Sequence, residues 1–228
     1  MNTGRALAYI AFLVLLTGSL LVSEIRPLTA ADFADLPASA QAVTPLRTGD
    51  RAPAFTVLTV DGDAIEFDPS RFSRPAIFIS FRGGWCPYCN MHLSELRTVV
   101  PRIADMGVDI YFLSGDRPEL LHASLERETQ ADIAGLDYEI LSDANMEAAM
   151  AFGTAFRVAD KTVNWLNEKG KDFEGSSIQR HNALAVPAVY VVDANGRIAF
   201  DYVNPDYKIR LSADELLAVA QSLSAGAR

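Results

Sequence analysis

Residues 75–100 read PAIFISFRGGWCPYCNMHLSELRTVV, and the change of period inside this stretch decides the fold. Pro75–Phe81 is an almost uninterrupted apolar run, as expected of a strand covered on both faces. Beyond Pro87 the period changes: Leu93, Leu96, Val100 and Ile103 recur at helical spacing. Pro101 has no N–H to give and is expected to kink or end that helix. Between strand and helix lie Gly83-Gly84 and the only two cysteines of the chain, Cys86 and Cys89.

Working outward, Phe55–Val60 and Ala64–Phe67 flank an Asp-Gly-Asp turn and read as a hairpin. Val108–Ser114 is a second buried strand. Asp116-Arg117-Pro118-Glu119 has the form of a capped helix start, with Asp116 as N-cap. Tyr138–Leu141 suits a short strand and Asn145–Phe152 a short helix, whereas residues 153–186 show no clear period. Ala188–Asp193 and Arg197–Val203 surround Asn195-Gly196, a hairpin signal. Ser212 to Glu215 forms a capping box that opens the last helix. Strands alternating with helices, closed by an antiparallel hairpin, predict an α/β domain with a central mixed sheet and helices on both faces.

The chain has 228 residues, 50% of them hydrophobic and 21% charged, which suits one domain with a real core. Its net charge is −9 and no lysine or arginine cluster is present, so nucleic acid is not expected as a partner. Ala6 to Val22 carries no charge and reads as a hydrophobic helix, either a membrane anchor through residues 6–22 or a cleaved signal. The expected organisation is an anchor or signal over 1–27, a tether over 28–47 and a folded domain over 48–228. That domain would be exported, on the periplasmic or other extracytoplasmic face.

Cys86 lies at the first turn of the helix, where free N–H groups and the helix dipole favour a thiolate. Cys89 falls on the same side of that turn, deeper and nearer the core. Access therefore makes Cys86 the attacking thiol and Cys89 the resolving one. Arg82 can add positive charge near the sulfur, Gly83-Gly84 permits close backbone approach, and Trp85 can shield the site from water. Three other readings fit a close cysteine pair. A structural disulfide would close so short a loop that it would be a poor staple. Cys86, Cys89 and His92 have the spacing of metal ligands, but His122 and His181 supply no matching second pair, so neither metal nor cofactor is expected. Inert thiols are the third. Pro187 opens a strand, where an ordinary trans proline is the plain expectation.

FRGGWCPYC after a strand, VPAVYVVDANGRI, and NPDYKIR resemble the peroxiredoxin-like members of the alkyl hydroperoxide reductase/thiol-specific antioxidant family, built on the thioredoxin fold. The resemblance covers roughly residues 48–224. It implies peroxide reduction by a Cys86/Cys89 dithiol–disulfide cycle, with a thioredoxin-type dithiol protein as reductant. It also implies a cis Val186-Pro187 bond facing the cysteines. Thiol–disulfide exchange on exported protein disulfides, and a non-catalytic thioredoxin-fold binding module, remain alternatives. The family's Pro-x-x-x-Thr/Ser-x-x-Cys pattern is replaced by Ile79 and Gly83 here. For the family's usual arginine, Arg82 is the local candidate, with Arg157 and Arg180 further off.

Overall fold

A computed structural model describes residues 28–136, 138–170 and 172–226. The expected hydrophobic helix over residues 6–22 lies outside these. Among the described residues no helix is long and apolar enough to cross a membrane.

In chain order the elements are α1 (Ala30–Ala34), β1 (Phe55–Leu58), β2 (Ala64–Phe67), β3 (Ala76–Phe81), α2 (Pro87–Leu96), α3 (Val100–Ala104), β4 (Asp109–Ser114), α4 (Arg127–Ile133) and β5 (Glu139–Ser142). Then follow α5 (Glu147–Ala151), β6 (Ala155–Arg157), α6 (Asp160–Glu168), α7 (Ser177–His181), β7 (Ala183–Ala185), β8 (Ala188–Val192), β9 (Ile198–Val203) and α8 (Ala213–Gly226). Seven strands form one mixed sheet in the order β2-β1-β5-β4-β3-β8-β9, and β6 and β7 pair separately. β3 is parallel to β4 on one side and antiparallel to β8 on the other. This is why its sequence has no polar face: every residue of β3 is buried.

Alternation along the strands sorts side chains to two cores. Ile77, Ile79 and Phe81 join Ile110, Phe112, Val189 and Val191 beneath α2, α3, α4 and α8. Phe78, Leu113 and Tyr190 face the other way with Ala148 of α5 and Phe152. That second core is largely aromatic: Phe55 meets Phe67, Phe78 and Phe152 at ring distances of 5.1, 5.4 and 5.5 Å. The mixed sheet with helices on both faces is therefore present, as are both expected hairpins. The Ser212 capping box is also formed, its main-chain N–H donating to the Glu215 carboxylate at 3.0 Å.

Several expectations need correction. The helix after the cysteines stops at Leu96, before Pro101, and Pro101 occupies the first turn of α3, where its missing N–H costs nothing. Asp116 does not cap a helix; a short 3₁₀ turn, Pro118–Leu120, follows it instead, and α4 begins only at Arg127. Its carboxylate is drawn inward by two better donors described below. Residues 153–186 contain two helices and the β6–β7 pair, elements too short for a period to show. Residues 28–47, read as a tether, pack on the domain rather than standing free. Leu36 is buried with Met146, Ala149, Ala155 and Ala183, and the Phe33 ring stacks on His181 at 4.0 Å. The Arg157 and Leu46 N–H groups donate to Pro37 O and Phe152 O at 2.8 and 3.0 Å.

Candidate active site

The loop from Arg82 to Cys86 leaves β3 at the centre of the sheet and enters α2 directly. Cys86 is the N-cap of α2 and Pro87 fills its first turn, as the sequence predicts. The glycine pair is required by space. Gly83 has φ +143, and a Cβ there would lie 2.4 Å from Trp85 Nε1 and 2.6 Å from Asp116 Oδ1. A Cβ on Gly84 would meet the main chain at Leu125 N at 2.7 Å.

Two buried side chains that the sequence reading did not assign hold this loop. The Asp116 carboxylate, fully buried, accepts the Gly84 N–H at 2.7 Å and the Ser124 hydroxyl at 2.8 Å. Burial raises its pKa, against the pull of those two donors. Asn90 donates to Gly84 O at 2.7 Å and Cys86 O at 3.1 Å, while its Oδ1 accepts the Glu126 N–H at 2.9 Å. The loop is thus fastened from β4, from α2 and from the segment before α4.

Both cysteines are free thiols. Cys86 lines a cavity of about 640 Å³ together with Arg82, Trp85, Tyr88, Lys161, Trp165 and Tyr207. Both sulfurs are buried, Cys86 at 2% and Cys89 at 0% exposure, and of the two Cys86 lines the cavity. The Arg82 guanidinium lies over the Trp85 ring at 5.0 Å and over the Tyr207 ring at 4.4 Å. Trp85 is buried and lines the cavity beside Cys86.

The guanidinium that touches sulfur is Arg210, whose Nη2 donates to Cys89 Sγ at 3.4 Å. Arg157 instead donates to Ala34 O, and Arg180 is exposed on α7. Arg210 belongs to the NPDYKIR stretch, but nothing in the sequence ties that stretch to the cysteines. The segment 204–213 is laid along α2. The Tyr88 and Tyr207 rings meet edge-on at 5.6 Å, His92 Nε2 bonds Leu211 O at 2.9 Å, and Ala213 N–H donates to Glu95 at 2.9 Å.

These neighbours act on both thiols of the pair. Burial pushes Cys89 up, but the hydrogen bond from Cys86 and the Arg210 guanidinium outweigh it and bring it down to about 6. Cys86 is pushed up by its hydrogen bond to Cys89 and by burial, with Arg82 opposing. The two thiols act as a coupled pair, with Arg210 favouring charge on Cys89 and Arg82 favouring it on Cys86. Burial first, and then Arg210, bring His92 down to about 4, so its ring is neutral. That ring is spent on Leu211, not turned to the sulfurs.

Pro187 is also placed differently. The Val186–Pro187 bond is trans, the lower-energy form for X-Pro, in an extended passage from β7 to β8 anchored by Val186 N–H on Thr154 O at 2.9 Å. Pro187 lines a separate cavity of about 290 Å³, which shares Arg82 and Tyr207 with the larger one but not Cys86.

Comparison with known proteins agrees with this architecture. Residues 48–201 match the model of the AhpC/TSA family. Peroxiredoxin Bcp of Escherichia coli is 25% identical over 175 residues, covering 77% of this chain and 96% of that protein. Thiol-disulfide oxidoreductase ResA of Halalkalibacterium halodurans is 26% identical over 125 residues, 55% of this chain and 65% of that protein. Among solved structures, a peroxiredoxin-like protein from Aquifex aeolicus superposes with a TM-score of 0.57 at 18% identity, over 79% of this chain and 89% of that one. Peroxidoxin BcpB from Mycobacterium tuberculosis gives 0.55 at 16% identity, over 78% and 98%. By fold and by the family match over residues 48–201, the chain belongs to the AhpC/TSA family.

Proposed function

We propose that the chain is a thiol oxidoreductase that reduces peroxides through a Cys86/Cys89 dithiol–disulfide cycle. The observation that carries this is the free dithiol at the start of α2, with Cys86 on the wall of a cavity and Cys89 directly behind it. Cys86 sulfur attacks the O–O bond and becomes a sulfenic acid as the alcohol or water leaves. Cys89 then displaces hydroxide from that sulfur, closing the disulfide, and an external dithiol protein reduces it. Similarity to peroxiredoxin Bcp supports this reading.

Thiol–disulfide exchange on protein substrates is the second reading. It is favoured by the aromatic mouth, where Trp165 is 53% and Tyr207 36% exposed, and by similarity to ResA. Mixing the purified full chain with hydrogen peroxide and, separately, with insulin distinguishes the two. Oxidation of Cys86 much faster than a free thiol is expected. A rate no better than a free thiol, with rapid insulin reduction, turns the assignment to exchange. Inertness in both assays favours a binding module. The uncharged run from Ala6 to Val22 supports an exported location, which cell fractionation with N-terminal sequencing tests.

A further inference from the structure

We propose that the cavity beside Cys86 is a binding site for a small thiol that carries a carboxylate, held by Arg82 and Lys161 and placed to reduce the Cys86–Cys89 disulfide. The inference rests on the dithiol–disulfide cycle above and names a class of reductant for it.

Charge is the first observation. The chain carries a net charge of −9, yet the residues lining this cavity include two cations, Arg82 and Lys161, and no carboxylate. The adjoining cavity at Pro187 adds Arg157 and again no carboxylate. Asp160 and Asp206 are sequence neighbours of Lys161 and Tyr207 but line neither cavity. Among the described residues neither Arg82 nor Lys161 makes an ion pair. Arg82 Nε is buried without a hydrogen-bond partner, so this guanidinium still has a donor to give. A carboxylate is the group that such a fork binds best, by charge-assisted hydrogen bonds.

Size and access are the second. The cavity of about 640 Å³ is far larger than hydrogen peroxide needs and suits an organic molecule. The rings of Trp85, Tyr88, Trp165 and Tyr207 offer apolar faces to its carbon body. Cys86 meets the cavity at only 2% exposure, and the loop that carries it is fastened by Asp116 and Asn90. A slim molecule reaches that sulfur down the cavity. A sulfur set in a protein surface reaches it only when the loop opens.

The chemistry balances with the thiol as the reductant. One thiolate attacks Cys86 Sγ, the bond to Cys89 breaks, and a mixed disulfide forms on Cys86. Cys89 leaves as a thiolate beside the Arg210 guanidinium. A second thiolate attacks the sulfur of the bound thiol, the small disulfide departs, and Cys86 keeps the electron pair. The protons of the two thiols return to the cysteines through solvent. The thiols lose two electrons and the protein disulfide gains them.

The test needs no peroxide. The full chain is oxidised to the disulfide and mixed with 3-mercaptopropionate or 2-mercaptoethanol at equal thiolate concentration. Freed cysteines are counted by alkylation and mass spectrometry. In wild type the carboxylate thiol is expected to react about tenfold faster or more at low salt, an advantage that high salt shrinks. Lys161→Gln and Arg82→Gln should each remove much of it. Lys161 is exposed on α6, and the neutral thiol reports in every variant whether the disulfide is still reachable. Equal rates for the two thiols in wild type overturn the proposal, as does an advantage that survives both substitutions. Binding without chemistry gives a second reading. The chain's only two tryptophans, Trp85 and Trp165, both line the cavity. In the Cys86→Ser, Cys89→Ser chain their fluorescence should change saturably with S-methylglutathione, which carries two carboxylates, and not with its dimethyl ester. No saturable change overturns the site. A chain that forms no disulfide counts against the cycle, and the fluorescence titration then decides this inference by itself.

Discussion

The carboxylate of Asp116 accepts the main-chain N–H of Gly84 at 2.7 Å, across 32 residues of sequence, and so joins the end of β4 to the loop that carries the cysteines. Replacing Asp116 by Ala leaves the Gly84 N–H and the Ser124 hydroxyl without this partner in a buried place. A loss of about 2–3 kcal/mol is expected. Denaturant unfolding measures it, and peroxide turnover should fall with it because Cys86 is two residues from Gly84.

Gly84→Ala tests the same loop by volume rather than by hydrogen bonding. Its Cβ would lie 2.1 Å from Ser124 Oγ and 2.5 Å from the Ser124 main chain, so one of two packed segments must move. About 2 kcal/mol or more of destabilisation is expected. Gly62→Ala, where a Cβ meets open space at φ +86, should cost only the strain of its backbone, about 1 kcal/mol. Equal losses at the two positions would show that the close approach at Gly84 has no weight.

His92 gives a pH dependence with a definite sign. Its pKa is about 4 in the folded chain against 6.5 for the free side chain, so the unfolded chain takes up a proton first as pH falls. The stabilisation is complete above pH 6.5 and is lost as pH drops towards 4, by up to about 3 kcal/mol. His92→Gln can still donate to Leu211 O but cannot titrate. Unfolding curves at pH 7, 5.5 and 4.5 should show a shallower decline for the variant.

Leu36 tests whether residues 28–47 contribute to the fold. Leu36→Ala removes a buried side chain from its cluster with Met146, Ala149, Ala155 and Ala183. Because the site is at the margin of the domain, a cost of about 2 kcal/mol is expected. A melting temperature equal to wild type would mean that the segment is not part of the cooperative unit.

What the sequence makes legible is what local pattern can encode. The β3 run, Pro87 at the start of α2, the Asn195-Gly196 hairpin and the Ser212 capping box each depend on neighbours a few residues apart, and each forms. The two cysteines were readable for the same reason. Arg210 and Asp116 were not. Arg210 reaches Cys89 across 121 residues, and an arginine in a polar loop carries no mark of the sulfur it will meet. Asp116 followed by Pro118 and Glu119 has the local form of a cap. Burial beside Gly84 and Ser124 overrides that preference, because two donors in a dry site outweigh one at an exposed helix end. Asn90, adjacent to Cys89, carries no local mark of its role, yet it clamps three main-chain groups.

The laying of residues 204–213 along α2 separates architecture from tuning. The seven-stranded sheet is finished at Val203, and the chain re-enters the core at Leu211, just before α8. Between them lies a short strap that adds no strand and no helix, yet delivers the guanidinium to the dithiol. Apart from Leu211, its side chains can therefore vary without rewriting the scaffold. Exchanging this strap alone between members of the fold offers a way to set the reduction potential of a cysteine pair while leaving the pair, and the sheet beneath it, untouched.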